Sequence, residues 1–131
     1  MILADTSAWV AFLRGSGSPA CVRLRSAIGS DEVSTTDIVQ LELLAGARDA
    51  RHHRQLKALL GGTDHLAIAP GLDAEHAADL FQACRRYGET PRQVTDCLIA
   101  AVAIRNDIPV LHEDRDFEAI ARHTSLRTLI A

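Results

Sequence analysis

The chain has 131 residues, of which 47% are apolar and 24% charged, the balance of a globular protein that can bury a core. Its length predicts a single domain over residues 1–131, and its net charge of −3 provides no overall basic field to attract nucleic acid. The sequence has no apolar run of the roughly 18 residues that a membrane span needs. It also lacks the N-terminal pattern of a secretory signal, so we expect a cytoplasmic protein.

Short apolar runs alternate with helical patterns along the whole chain. A strand at residues 1–5 precedes helices at 6–14 and 19–28, and a strand at 32–36 precedes helices at 37–47 and 50–60. A strand at 65–69 precedes helices at 73–88 and 94–106, and a strand at 108–112, a helix at 115–123 and a strand at 126–130 follow. This alternation predicts an α/β fold with a mostly parallel sheet covered by helices on both faces.

Several residues have clear local expectations. Thr6 or Ser7 is able to cap the first helix, and Asp37 is expected to cap the third. Trp9 and Phe12 lie one helical step apart, so they either pack in the core or contact a partner. The cysteines are odd in number and contain no CxxC pair, so we expect reduced, buried thiols at Cys21, Cys84 and Cys97.

Five acidic residues occupy unusual positions. Asp5 ends the first predicted strand, and Asp114 and Asp116 follow the fourth, so all three lie at the edge where parallel sheets bind ligands. Glu42 and Asp96 share helix faces with apolar residues and are expected to point toward the core. Each position also has an ordinary interpretation: the aspartates can be caps or turn residues, and Glu42 can reach solvent or pair with an arginine.

Carboxylates gathered in one pocket repel one another unless they are protonated, paired or bound to a cation. Oxygen ligands favour a hard cation, so the pattern indicates Mg²⁺ or Mn²⁺. The six histidines form no HExxH or HxxxH pair, which argues against zinc. Divalent cations lower the pKa of a water molecule and neutralise charge on a leaving oxygen, so the pattern is typical of phosphodiester hydrolysis.

Basic residues that could contact RNA occur in two places. Arg85, Arg86 and Arg92 flank a Gly-containing turn shortly before Asp96, where they either line an RNA path or are solvated helix ends. Residues 48–57 form a second basic stretch with the same two interpretations, apart from its adjacent histidines, which we expect to be solvated helix residues. His112, beside the acidic residues, is either a residue that ends a strand or a phosphate contact.

Four stretches, "LADTSAWV", "LELLAG", "TDCLIAAVAI" and "VLHEDRDFEAIA", resemble the four motif regions of PIN-domain proteins, most closely the VapC-type toxins of toxin–antitoxin pairs. The resemblance implies a three-layer α/β/α fold. It implies a Mg²⁺- or Mn²⁺-dependent endoribonuclease that cuts structured RNA, tRNA or ribosomal RNA, and so stops translation. It also implies a homodimer, and a small VapB-like antitoxin that blocks the site.

The resemblance also implies a role for particular residues. Asp5, Glu42, Asp96 and Asp114 match the catalytic, metal-holding acidic quartet, and Asp116 matches a further acid that binds metal directly or through water. The hydroxyl groups near them are expected to orient ligands or water rather than bind the metal; these belong to Thr6, Ser7 and Thr95. Glu113 departs from the neutral residue usual in relatives and is expected to face solvent.

Two rival classes fit part of the pattern. A Mg²⁺-dependent phosphoryl-transfer enzyme or receiver domain also places Asp at strand ends. A phosphatase of this kind would have DxD at the first strand, where this chain has Asp5-Thr6-Ser7. A receiver domain would have a lysine on the last strand, whereas the sole lysine here, Lys57, lies in a predicted helix. A non-catalytic, metal-binding interaction module of the same fold is the second alternative. Loss of an acid from the quartet would favour the module, and all four are present.

Overall fold

The structure is a computed structural model that describes residues 1–129, in which seven helices surround one sheet. The strands are β1 (Ile2–Ala4), β2 (Val33–Thr36), β3 (Asp64–Leu66), β4 (Val110–Leu111) and β5 (Thr128–Leu129). The helices are α1 (Thr6–Arg14), α2 (Pro19–Gly29), α3 (Asp37–Ala45), α4 (Ala50–Gly61), α5 (Leu72–Arg86), α6 (Val94–Arg105) and α7 (Arg115–His123). Within the described range, no helix combines the length and the apolar character needed to cross a bilayer.

The five strands pair in the order β3-β2-β1-β4-β5, and each described pair is parallel, which confirms the predicted parallel sheet. Right-handed crossovers place α1 to α4 on one face and α5 to α7 on the other, since the strand order runs outward in both directions from β1. The direction reverses between β1 and β4. Folds of this kind open a crevice at such a point, beyond the carboxyl ends of the strands.

The core lies on both faces of β1 and around α6. All of β1 is buried, and six apolar residues of α6 are fully buried. The sequence of α6, which is apolar on nearly every side, therefore matches its position in the core. Trp9 is also fully buried, with Phe12 edge-to-face at 6.1 Å between ring centroids, so core packing is the correct alternative for Trp9. The cysteines are free and buried, as predicted.

The strand β3 is shorter than predicted. It ends at Leu66 rather than at residue 69 because the chain turns to bond with side chains there. The Ile68 amide donates to the Asp37 carboxylate at 2.8 Å, and the Ala69 amide donates to the Asp73 carboxylate, also at 2.8 Å. Backbone groups that bond to side chains are lost to the sheet.

The last two strands are also shorter than predicted. β4 begins at Val110 rather than at residue 108, since Pro109 has no N–H to donate to a neighbouring strand. The last strand was predicted at residues 126–130, and β5 consists of Thr128 and Leu129. Residues 126 and 127 are not in the strand, and residue 130 lies outside the described residues.

The capping residues of two helices differ from prediction. Asp5, not Thr6 or Ser7, is the N-cap of α1, and its carboxylate accepts from the Ser7 amide. Thr36 is the N-cap of α3, and Asp37 is the first helical residue, where a negative charge favours the helix dipole. α3 ends at its Gly46 cap, so the helix predicted to run to residue 47 is two residues shorter.

A buried ion pair fixes the start of α5 against the end of α6. Asp73 is 1% exposed, and its two carboxylate oxygens accept from Arg105 Nε and Nη2 at 2.9 Å each. The Arg105 guanidinium also donates to the Ala67 carbonyl at 2.8 Å. Arg105 lowers the pKa of Asp73, so the carboxylate stays charged in the interior.

Candidate metal centre

The crevice between β1 and β4 is an open pocket of about 440 Å³. It is lined by all five acidic residues that the sequence singled out, which come from the end of β1, from α3, from the first turn of α6 and from the loop after β4: Asp5, Glu42, Asp96, Asp114 and Asp116. The structure therefore brings together carboxylates from four separate stretches of the chain.

The Asp5 carboxylate is fixed by Ser7. Asp5 Oδ2 accepts a hydrogen bond from the Ser7 amide at 3.0 Å and another from the Ser7 hydroxyl at 2.6 Å. Ser7 Oγ in turn accepts from the Glu113 amide at 2.9 Å, so it joins the end of β1 to the loop after β4. Burial raises the pKa of Asp5, the bonds from Ser7 oppose that rise, and the nearby charge of Asp114 adds to it.

Asp114 and Asp116 share one arginine. Asp114 is the N-cap of α7, and its Oδ1 accepts from the Asp116 amide at 2.9 Å and from Arg92 Nη2 at 2.9 Å. Asp116 Oδ2 accepts from Arg92 Nε at 3.0 Å and from the Arg92 amide at 3.2 Å. The cap role weighed for Asp114 is thus real, but it leaves the carboxylate in the pocket. Both pairs are open to solvent on the Arg92 side, so the arginine offsets the acidic charge only in part.

Asp96 is the least compensated of the acids. It is 8% exposed, and no side-chain or backbone donor among residues 1–129 bonds to its carboxylate. Burial, followed by the charges of the neighbouring acids, raises the pKa of Asp96 from 3.8 to about 7. The expectation that a polar group on this apolar helix points into a shared pocket is confirmed for Asp96.

Glu42 corrects the expectation of a core-facing carboxylate. It is exposed at the rim of the pocket, because the face of α3 buried against the core is formed by Val39 and Leu43. The Thr6 hydroxyl donates to Glu42 Oε1 at 3.1 Å. Partial desolvation raises the pKa of Glu42, the Thr6 bond lowers it, and the charge of Asp5 raises it further.

The donor set fits a hard cation. One oxygen each of Asp96, Asp114 and Asp116 lies within 4.8 Å of the other two, so a single ion can reach all three. All the donors are carboxylate oxygens, and the buried Asp96 carboxylate has a charge that the protein does not pair. A divalent cation would offset both causes of the raised pKa of Asp96, its burial and the repulsion from the neighbouring acids.

Other residues singled out from the sequence have varied positions. Thr95 is half-buried next to Asp96 and is not one of the residues that line the pocket. Arg92 does line it, whereas Arg85 and Arg86 are exposed at the end of α5, outside the pocket lining. The pairing of Arg92 with the acids was not predicted, since nothing in the sequence connects an arginine before α6 with a loop more than 20 residues later.

His112 and Glu113, which also follow β4, form hydrogen bonds within the protein. His112 is 1% exposed, so it ends the strand rather than contacting phosphate. Its Nδ1 accepts from the Asp114 amide at 3.1 Å, and its ring lies 5.3 Å from that of Phe117. Burial lowers the pKa of His112. Glu113 is exposed, as predicted, and its carboxylate accepts from the Ser18 hydroxyl.

Comparison with known proteins identifies the family of the chain. The family model described as the PIN domain matches residues 2–123. Ribonuclease VapC11 of Mycobacterium tuberculosis (strain ATCC 25618 / H37Rv) is 41% identical over 129 residues, which cover 97% of this chain and 96% of the relative. The chain therefore belongs to the PIN-domain family and, within it, to the VapC ribonucleases.

Solved structures share the fold. VapBC-5 from Mycobacterium tuberculosis, a member of the VapBC family of toxin-antitoxin systems, superposes with a TM-score of 0.68 and 25% identity, over 98% of this chain and 97% of that one. VapBC-1 from nontypeable Haemophilus influenzae superposes with a TM-score of 0.75 and 18% identity, over 98% of this chain and 97% of that one. The second likeness concerns the fold alone.

Proposed function

We propose that the chain, folded as one domain over residues 1–131, is a Mg²⁺- or Mn²⁺-dependent endoribonuclease toxin. Its substrate is structured RNA, tRNA or ribosomal RNA, and its cleavage inhibits translation in the cytoplasm. The observation that carries the proposal is the convergence of six carboxylates, the five candidate ligands and Glu113, in one pocket, with the buried Asp96 unpaired among them. The 41% identity to ribonuclease VapC11 supports RNA as the substrate.

Asp96, Asp114 and Asp116 would hold the cation, because their oxygens are close enough to share one ion. Asp5 and Glu42, which line the same pocket, would complete its ligands or hold its water molecules. When bound, the cation lowers the pKa of a water molecule and neutralises charge on the leaving oxygen.

The chain's own groups would orient the water and move its proton. Hydrolysis forms a bond from the water oxygen to phosphorus and breaks the bond from phosphorus to the 3′ oxygen of the ribose, which takes a proton from a second water molecule to leave as a 3′ hydroxyl. Glu42 Oε1 is occupied by the Thr6 hydroxyl, which leaves Oε2, at the open rim, to accept the proton of the attacking water. Ser7 would keep Asp5 oriented, and Thr95, next to Asp96, would help to orient ligands or water.

RNA contacts would begin with Arg92. A cation at Asp114 and Asp116 would weaken their hold on its guanidinium, which is then free to donate to a phosphate from within the pocket. Arg85 and Arg86, exposed at the end of α5, would contact more distant phosphates.

A partner would control the enzyme. We propose a small VapB-like antitoxin that covers the acidic pocket and neutralises the toxin. The likeness to VapBC-5, a member of the VapBC family of toxin-antitoxin systems, supports such a partner. We also propose that the chain forms a homodimer, which light scattering of the purified toxin would measure.

The test is cleavage of total tRNA and ribosomal RNA by the purified chain, freed of any antitoxin, in Mg²⁺, Mn²⁺ or EDTA. Asp96→Asn is the inactivating variant, because it keeps the shape of the side chain and removes its charge. Asp79→Asn, an exposed acid on α5, is the matched control. The expected result is discrete, metal-dependent fragments from the wild type and the control, and none from Asp96→Asn.

Other results would point to the rival classes. Metal binding without cleavage of any RNA, from a folded and antitoxin-free protein, would favour the non-catalytic interaction module. Hydrolysis of a generic phosphate ester without RNA cleavage would favour a phosphoryl-transfer enzyme. Fragments that persist in EDTA and in Asp96→Asn would overturn the proposed use of the acidic pocket.

A further inference from the structure

We propose that a second cavity, next to the acidic pocket, binds the single-stranded RNA segment on one side of the cleaved phosphate through Arg14, Arg48 and His52. This inference rests on the proposed function and adds the path of the substrate. The cavity has a volume of about 480 Å³ and lies between α1, α3 and α4.

The second cavity is continuous with the acidic pocket. Thr6, Val10 and Glu42 line both, and the hydrogen bond from Thr6 to Glu42, at 3.1 Å, lies on the boundary between them. An RNA strand whose cleaved phosphate lies among the carboxylates can therefore pass over this boundary and enter the second cavity. Glu42, proposed above to accept the proton of the attacking water, lies on this boundary.

The charge of the second cavity suits phosphate. Arg14 and Arg48 line it, and within residues 1–129 neither guanidinium takes part in an ion pair. His52 Nδ1 accepts from the Arg48 amide at 3.1 Å, so the neutral ring has its proton on Nε2, where it can donate to a ligand. Glu42, on the shared boundary, is the acid in the cavity wall.

The opposite side of the acidic pocket is less suitable. A smaller cavity of about 170 Å³ begins at Asp116 and contains Arg115 and Arg122, but Glu89 and Glu118 line it as well. Glu89 also accepts from Arg122 Nε at 3.2 Å, so that guanidinium is already engaged. Three acidic residues face two arginines there, and the cavity beyond Glu42 is therefore the better path for a polyanion.

The walls of the second cavity favour an unstacked base rather than a duplex. Leucines from three helices line it beside the basic groups: Leu13, Leu43, Leu56 and Leu59. A base that has left its stack can pack on an arginine guanidinium plane, as in the recognition of single-stranded RNA, and Arg14 and Arg48 offer such planes here. Leu43 and Leu56 form the buried floor of the cavity, and Leu13, which is 44% exposed, offers apolar surface beside the arginines. Duplex RNA exposes few base faces and would not cover this surface.

The test compares RNA cleavage kinetics of the double variant Arg14→Gln/Arg48→Gln with the wild type. The substrate is a labelled oligoribonucleotide that spans a site cut by the wild type in cellular RNA. We expect KM to rise roughly tenfold at low salt with kcat unchanged, because phosphate contacts away from the reacting atoms bind substrate and transition state alike. The slope of log kcat/KM against log salt should become shallower by about 1.4 for two lost phosphate contacts.

The matched control is Arg54→Gln/Lys57→Gln, which removes the same charge from the same part of the chain. Both residues are exposed, and helical spacing puts them on the face of α4 opposite His52 and Leu56. Thermal denaturation would check that each variant is folded. Should the double variant fail to fold, Arg48→Gln alone, in the loop before α4, and His52→Gln replace it, each with a smaller expected rise in KM.

An unchanged KM and salt slope in the double variant, with active wild type, would overturn this inference alone. Weaker inhibition by the cognate antitoxin with unchanged RNA kinetics would also overturn it and assign the cavity to a protein partner. A folded wild type that cleaves no RNA would overturn the proposed function and this inference with it.

Discussion

Asp96→Asn should make the metal-free protein more stable while it abolishes RNA cleavage. The folded Asp96 carboxyl has a pKa of about 7, whereas its ordinary value is 3.8. Between these two pH values the unfolded chain is ionised at Asp96 and the folded chain is neutral, so the unfolded chain has lost a proton that the folded chain keeps. The wild type therefore loses stability as the pH rises from about 4 to about 7.

The size of the effect follows from the two pKa values. A rise from 3.8 to about 7 corresponds to at most about 4 kcal/mol of unfolding free energy, all of it lost above pH 7. Asparagine has no charge to bury, so the variant should equal the wild type near pH 4 and exceed it by up to that amount at pH 8. Asp5 and Glu42 add to the pH dependence of both proteins, and the difference between the proteins reports Asp96 together with its coupling to these acids.

The assay is urea unfolding of both proteins in EDTA across this pH range, repeated with excess Mg²⁺. Bound cation should stabilise the wild type at pH 8 in proportion to the logarithm of its concentration, and should stabilise the variant much less. Equal stability of the two proteins at pH 8 in EDTA would refute the view that Asp96 is ionised, buried and unpaired without metal.

Two further predictions concern other parts of the molecule. Asp73→Asn should lower the unfolding free energy by about 3 kcal/mol, because it leaves the Arg105 guanidinium without its buried partner. Urea unfolding measures this change, with Asp107→Asn, at an exposed ion pair, as the control. A loss of stability equal to that of the control would contradict the prediction. Ser7→Ala should weaken Mn²⁺ binding about tenfold, because it removes the hydroxyl bond to Asp5 and also the acceptor for the Glu113 amide in the loop after β4. Titration calorimetry measures the Mn²⁺ affinity. An unchanged affinity would show that the bond to Asp5 does not matter for the metal.

The sequence predicted those features that depend on local periodicity and on the general behaviour of parallel sheets. Alternating strands and helices are enough to place Asp5, Asp114 and Asp116 at one edge, since the carboxyl ends of parallel strands always meet there. Asp96 was identifiable because a carboxylate in a helix apolar on nearly every side has few places to go.

The features that the sequence did not predict depend on contacts between distant residues. Glu42 seemed to share the buried face of α3, but which flank of a short helix is buried depends on how the neighbouring helices pack. The length of β3 was overestimated because Asp37, far away along the chain, takes up the Ile68 amide. Arg92 and the second cavity likewise result from tertiary packing.

The strand order also has a consequence for folding. The acidic pocket needs β1 to pair with β4, two strands with most of the chain between them, so it depends on one of the contacts of longest sequence separation in the sheet. A polypeptide that has formed β1, β2 and β3 possesses Asp5 and Glu42 but neither α6 nor the loop that carries Asp114 and Asp116. Contacts of this kind close late, because the intervening loop loses the most entropy. We therefore expect a chain in which β1 and β4 have not yet paired to lack the acidic pocket and the RNA cleavage proposed for it.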